Sequence, residues 1–188
     1  MAKVGMEYVC SAELTESNAG GTYSRTYANG KYWGPSSSFT GSPTNADVKD
    51  YGDDRAVETD TSMTGGSLSV ELNEDTLELE SWLLGHTYDA TNKKMVCSSE
   101  DVPPFLGTAA IGKIRRNNAT VYRAVVYYKT QFTNPEDGLQ TKQENTTFNH
   151  TSFSGSIFEC EDHSWKEAKE FDNLADAKTY INTLFGIS

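Results

Sequence analysis

The residues best placed to do chemistry in this chain are four aspartates in one short run, Asp47, Asp50, Asp53 and Asp54 of DVKDYGDD. Clustered carboxylates bind Ca²⁺ when oxygens recur at alternating positions, a glycine sits at the sixth and a glutamate closes the loop at the twelfth. This run does not meet that register and reads as an acidic, solvated loop. Cys160-Glu-Asp-His163 has the spacing of half a zinc site, but no second Cys/His pair stands ready to complete four ligands. His86 follows Gly85 at a helix end, where it reads as a polar group near the last carbonyls. His150 lies among Thr and Asn with no Ser or Cys elbow to serve. No nucleophile-elbow, phosphate-loop or dinucleotide pattern occurs, and pairs such as Glu78 and Glu80 appear in any acidic β-protein. The expectation is no enzyme: no catalytic residue, no metal and no cofactor.

The elements that would position such groups are mostly strands. Leu68, Val70 and Leu72 alternate with Ser67, Ser69 and Glu71, the period of a strand with one buried face. The period then changes to helical. Asp75 can cap the N-terminus with Glu78 completing a capping box, Leu79, Trp82 and Leu83 form one apolar stripe, and Gly85 ends the helix. Those three apolar residues are the candidate core of a short helix over about 75–84. Met6–Leu14, Arg55–Asp60, Thr87–Cys97, Leu106–Arg115, Thr120–Gln131 and Gln143–Glu161 read as further strands. In Thr120–Gln131 the second face, Val121, Arg123, Val125, Tyr127 and Lys129, is half apolar and needs a cover. Thr22–Gly34 is rich in Tyr and Trp, with Asn29-Gly30 marking a hairpin turn. Asn173 caps a C-terminal helix over about 174–185 bearing Leu174, Ala177, Ile181 and Leu184.

Between these elements Pro35–Asp54 is dense in Ser, Gly, Pro, Asn and Asp. It reads as a loop of unusual length, and loops of that length tend to be functional. Its aromatic residues Phe39 and Tyr51 favour docking. The fold class expected is mainly β, a two-sheet sandwich or barrel-like single domain over 1–188 with two short helices.

The chain has 188 residues, enough for one sizeable core. Its 16 basic against 27 acidic residues leave −11, which argues against a nucleic-acid-binding footprint. No apolar signal segment or bilayer-length run is expected to place it in a membrane. Three widely spaced cysteines, Cys10, Cys97 and Cys160, suggest reduced thiols rather than a disulfide framework. Asn118, Asn145 and Asn149 fit the glycosylation acceptor pattern but read as plain polar residues.

Several collinear segments resemble the major tail protein, or tail-tube protein, of long non-contractile tailed bacteriophages of Gram-positive hosts. These are Val4-Gly5 with the aromatic strand through Ala12, the acidic Tyr51-Gly52-Asp53-Asp54, and Leu83-Leu84-Gly85-His86-Thr87-Tyr88. They continue with Pro103-Pro104-Phe105-Leu106-Gly107, Tyr127-Tyr128-Lys129, Phe132 through Pro135-Glu136, Thr141-Lys142, and Asp176-Ala177 to Phe185. Asp75-Thr76-Leu77 and Gln143 depart from the family pattern at a helix entrance and a loop. The resemblance implies a β-sandwich subunit that forms hexameric rings stacked into a tube, the conduit for genome delivery. It also implies a virion location after assembly in the host cytoplasm. Implied partners are other copies of the chain, tail terminator and tail-tip proteins and a tape-measure protein, with DNA passing unbound. On this reading the Pro35–Asp54 segment, with Phe39, Asp47, Asp50, Tyr51, Asp53 and Asp54, crosses to a neighbouring subunit or ring. Glu58, Asp60 and Glu71 are the candidate lumen-facing carboxylates. An immunoglobulin-like adhesion or carbohydrate-binding domain is the alternative, motivated by the Tyr and Trp of Thr22–Gly34. A cell-wall hydrolase rests only on abundant carboxylates.

Overall fold

The computed structural model describes residues 2–52, 55–60, 62–138 and 150–187. Its strands are β1 (Ala2–Ala19), β2 (Thr22–Gly34), β3 (Ser36–Asn45), β4 (Val48–Gly52), β5 (Arg55–Asp60) and β6 (Met63–Leu72), followed by helix α1 (Leu77–Leu84). Then come β7 (Thr87–Asp89), β8 (Lys94–Val96), β9 (Leu106–Arg116), β10 (Ala119–Phe132), β11 (Thr151–Phe158) and β12 (Lys166–Phe171), and finally helix α2 (Leu174–Phe185). The fold is mainly β and sandwich-like, and the strands of the described residues do not close into a barrel.

The architecture turns on β10. One of its edges pairs with β9, while the other is divided: Tyr122–Tyr127 pairs with β12 and Lys129–Phe132 with β11. All these pairs are antiparallel, and the sheet runs β2-β1-β9-β10-β11-β6-β3. At the division the sheet folds back, so that β11, β6 and β3 form a leaf over the face of β1, β9 and β10. Leu68, Val70, Leu72, Phe153 and Ile157 from the leaf pack with Val9, Leu106, Tyr127 and Phe132 in one core. On the opposite face Cys10, Ala12, Ile111 and Val126 pack under Ala177, Ile181 and Phe185 of α2. The order is helix, sheet, leaf. The half-apolar second face of β10 is thus covered at Tyr127 by the chain's own leaf.

A row of hydroxyls fixes the register of the central strands. The Trp33 indole N–H donates to Ser11 Oγ at 3.1 Å, Ser11 and Thr108 hydroxyls lie 2.9 Å apart, and Thr108 and Thr130 hydroxyls 2.8 Å apart. Thr130 donates to the Leu106 carbonyl at 2.9 Å. An indole can only donate and a carbonyl can only accept. The direction of every bond between them is therefore set, each hydroxyl accepting once and donating once. All three hydroxyl residues are fully buried, and the row crosses β2, β1, β9 and β10. Trp33 also meets Phe132 and Phe153 edge-on, joining this row to the leaf.

Several expectations need correction. Pro35–Asp54 is not a loop: β3 and β4 occupy most of it. Ser and Thr are tolerated on a half-wet strand, Phe39 turns to the core, and β3 is the last strand of its sheet, where Pro43 costs little. Asn29-Gly30 is not the hairpin turn. That turn is Gly20-Gly21, with φ of 65° and 81°, as a primed two-residue turn requires. Asn29 (φ 53°) sits near a bulge against β1, and Gly30 lets the end of α2 approach, because a Cβ there would stand 2.4 Å from the Phe185 carbonyl oxygen. The α1 cap is Thr76, which accepts from the Leu79 N–H at 3.2 Å, rather than Asp75. Thr87–Cys97 is a small hairpin of β7 and β8, not one strand. Asn117 and Asn118, with φ of 50° and 62°, turn the chain from β9 into β10, and the Gly85 terminus and the Asn173 cap stand where expected.

Thr108→Val keeps the shape of the side chain but leaves Ser11 without an acceptor and Thr130 without a donor. We expect it to cost about 1–3 kcal/mol in urea unfolding, while Ser37→Ala on the surface changes little.

Candidate assembly surfaces

The hydrogen-bonded pairing of β3 with β6 continues outward. Beyond Asn45 the Ala46 N–H donates to the Ser62 carbonyl at 2.7 Å, and β4 then pairs with β5 from Val48↔Asp60 to Gly52↔Arg55. The β3–β6 pairing therefore continues into the β4–β5 pairing, a limb whose root is a wall of the sandwich and whose outer part is a two-stranded ribbon. Among the described residues β4 and β5 make their main contacts with each other. An isolated two-stranded ribbon is marginally stable in water. Its register sets Asp50 opposite Glu58.

The residues expected to join subunits separate along this limb. Phe39 lies at its root, partly buried against the core and 6.0 Å from the Tyr127 ring, so it anchors rather than docks. Gly41 is needed beside it, since a Cβ there would sit 2.1 Å from the Tyr127 hydroxyl. Asp47 is exposed, Asp50 and Tyr51 fall in β4, and Glu58 and Asp60 in β5. Asp53 and Asp54 lie outside the described residues.

Glu71 has a different setting. The outer face of the leaf carries Ser38, Thr40 and Ser42 on β3, Ser67, Ser69 and Glu71 on β6, and Ser152, Ser154 and Ser156 on β11, in register. One carboxylate thus stands in a field of hydroxyls, with the Ser37 hydroxyl donating to it at 3.3 Å. Sequence reasoning took Glu71 for its charge and missed this neutral plateau. The signal was serine at every second position of β6 and β11.

Of the three core-helix residues, Leu79 and Leu83 are buried, joined by Leu84, and Trp82 is partly buried against the same core. Trp82 lies at the rim, where its indole N–H donates to Glu13 at 2.8 Å. Just beyond, His86 is clamped rather than reactive. Its Nδ1 lies 2.7 Å from Asp101 Oδ2 and its Nε2 3.0 Å from Asn134 Oδ1, with only 5% of the side chain exposed. Two acceptors occupy both ring nitrogens. Burial opposes the imidazolium, yet the bonds to Asp101 and Asn134 and the charges of Asp101 and Glu80 raise its pKa above the ordinary value. The Ser98 amide and His86 hold Asp101 below the usual carboxylate range.

The aromatics of β2 are largely committed to packing. Trp33 is buried, Tyr27 donates to the Tyr128 carbonyl at 3.0 Å and Tyr23 to Glu16 at 3.1 Å. Tyr32 is exposed, stacked on Tyr8 at 5.0 Å. The three thiols are free, with Cys97 exposed and Cys10 and Cys160 buried. Among the described residues no group of three or more His, Cys, Asp or Glu is arranged to hold a metal, and no helix is long and apolar enough to cross a membrane.

Comparison with known proteins leaves these surfaces to speak for themselves: no protein-family model matches the chain, and no curated protein matches it.

Because the folded pKa of His86 is raised, its contribution to stability is complete below about pH 6.5 and is lost as pH rises through the higher folded value. The difference in Tm between the parent chain and His86→Gln should therefore hold level from pH 5.5 to about pH 6.5 and shrink from there to pH 8.5 in thermal denaturation.

Proposed function

We propose that this chain is the subunit of a phage tail tube, stacking as hexameric rings into a conduit for genome delivery. The observation that carries this reading is the limb. A two-stranded ribbon, marginal by itself in water, gains support when a neighbouring copy receives it. The sheet edges are consistent with a ring. Among the described residues β2, β3 and β12 each pair on one side only, and head-to-tail rings join two different patches of one subunit. The sandwich-like body agrees with the resemblance carried by Leu83–Tyr88 and the collinear segments around it.

Charge fits the same reading. DNA carries about one negative charge per 1.7 Å of its axis, so a basic wall would hold a passing duplex. A wall of hydroxyls and carboxylates releases it, and the leaf face around Glu71 has that chemistry. Glu58 and Asp60 belong to the limb, which favours a joining role for them over a lumenal one. Terminator, tail-tip and tape-measure proteins are the partners this function brings. The carbohydrate-binding alternative loses support because the β2 aromatics are committed to internal contacts.

Purified protein should form rings or tubes in negative-stain micrographs as concentration rises, or on addition of tail initiator components. A chain that stays monomeric under both conditions overturns the proposal. Replacing residues 47–60 with an Asn-Gly turn should abolish these assemblies. It should move Tm by no more than about 2 °C, as expected of a surface change.

A further inference from the structure

On a chain with 27 acidic and 16 basic residues, one cleft carries charge of a single sign, and that sign is positive. It has a volume of about 480 Å³ and opens between β3 and the part of the main sheet that the leaf does not cover. Lys3, Arg123 and Lys166 line it, and no described carboxylate does. Its floor is aliphatic: Val125 shares a face of β10 with Arg123, Ala168 of β12 lies opposite Val125, and Ile114 of β9 adjoins them. Arg123 is held in place. Its Nε and Nη2 donate to Glu170 Oε1 at 3.2 and 2.6 Å, and Arg116 holds the same carboxylate at 3.2 Å. A guanidinium has five N–H donors, and Nη1 of Arg123 has no partner among the described residues. Lys3 and Lys166 form no ion pair with a described carboxylate, and Lys166 rests over the Tyr127 and Trp165 rings at 5.4 and 5.7 Å. Burial, with repulsion from Lys3 and Arg123, holds the Lys166 pKa below the ordinary ammonium value.

We propose that this cleft binds an aliphatic carboxylate, its head among Arg123, Lys166 and Lys3 and its chain over Ile114, Val125 and Ala168. The proposal goes beyond the tube reading and does not depend on it. Three cations that repel one another are relieved by an anion, and a planar guanidinium with a free edge matches the two oxygens of a carboxylate. The floor selects the rest of the molecule, because an alkyl chain laid on aliphatic side chains removes both from water. The volume lies within the roughly 300–1,000 Å³ of small-molecule sites. A polyanion is a poor match. It would meet the field of a chain whose net charge is −11, whereas a single head feels mainly the cations around it.

The test is calorimetric titration of the full chain with decanoate, kept below the concentration at which it forms micelles. Acetate supplies the head alone and decanol the body alone. Decanoate should bind at least about tenfold more tightly than either, since each lacks half of the recognition. Acetate binding as tightly as decanoate reduces the cleft to a charged surface, and decanol binding as tightly reduces it to an apolar patch. Either result, or no binding of decanoate, overturns the proposal.

Two variants place the ligand. Arg123→Gln with Lys166→Gln should weaken decanoate binding by about tenfold or more. Ala168→Phe should abolish it by filling the floor, with Tm moved by no more than about 2 °C because Ala168 is exposed on β12. Decanoate affinity unchanged in both variants puts the ligand elsewhere and overturns the assignment. Tight binding of duplex DNA by the parent chain, lost in Arg123→Gln with Lys166→Gln and not displaced by decanoate, would assign the cleft to nucleic acid and overturn it too.

Discussion

The directed chain of hydrogen bonds from the Trp33 indole through Ser11, Thr108 and Thr130 to the Leu106 carbonyl is the constraint on which the rest depends. Strand side chains alternate with a period of two, so a one-residue slip of β9 or β10 would exchange their two faces. The floor of the cleft and the bed of α2 are opposite faces of those strands. A slip would bury hydroxyls under the helix and push Ile111 and Val126 toward the leaf. Buried polar groups specify a register sharply because an unmatched hydroxyl is costly where water cannot reach. The row supplies little net stability for its length. Its effect is to select one arrangement.

Given that register, the chain divides into a body and a limb with different physics. The body has apolar cores on both faces of its main sheet and is clamped at α1 by Gly85, where an added Cβ would stand 2.4 Å from the Val102 carbonyl oxygen. The limb begins inside the body, anchored by Phe39 and the Gly41–Tyr127 contact, and continues as a ribbon whose main contacts among the described residues are its own pairing. Charge is divided as well. The segment 47–60 is acidic by sequence, the leaf is nearly neutral, and Lys3, Arg123 and Lys166 line the cleft beside the limb's root. Such a division suits a subunit that associates by different patches, and the chain's overall −11 conceals it.

Much of the fold was legible because local patterning and tertiary packing agreed. Leu68, Val70 and Leu72 announced β6, and Leu79, Leu83 and Gly85 announced α1. What the sequence concealed were places where one signal serves two purposes. Asn29-Gly30 has turn chemistry but lies within β2, because α2 needs the space above Gly30. Ser36–Asn45 has loop composition but pairs as an edge strand, since only one of its faces meets the core. Of the candidate site, the acidic segment was visible as composition, while its shape as a ribbon was not. The cleft was invisible. Lys3, Arg123 and Lys166 are distant in sequence and meet only because β1, β10 and β12 are brought alongside one another through β9 and β10.

The central claim is that a rigid body joins its neighbours through a ribbon that gains its support from them. Hydrogen–deuterium exchange, compared between the monomeric and assembled protein, tests it most directly. The account predicts slow exchange at the central strands around Ser11, Thr108 and Thr130 in both states. Over residues 48–60 it predicts fast exchange in the monomer and marked protection after assembly. Protection of those residues that is already complete in the monomer, or that does not change on assembly, would contradict it.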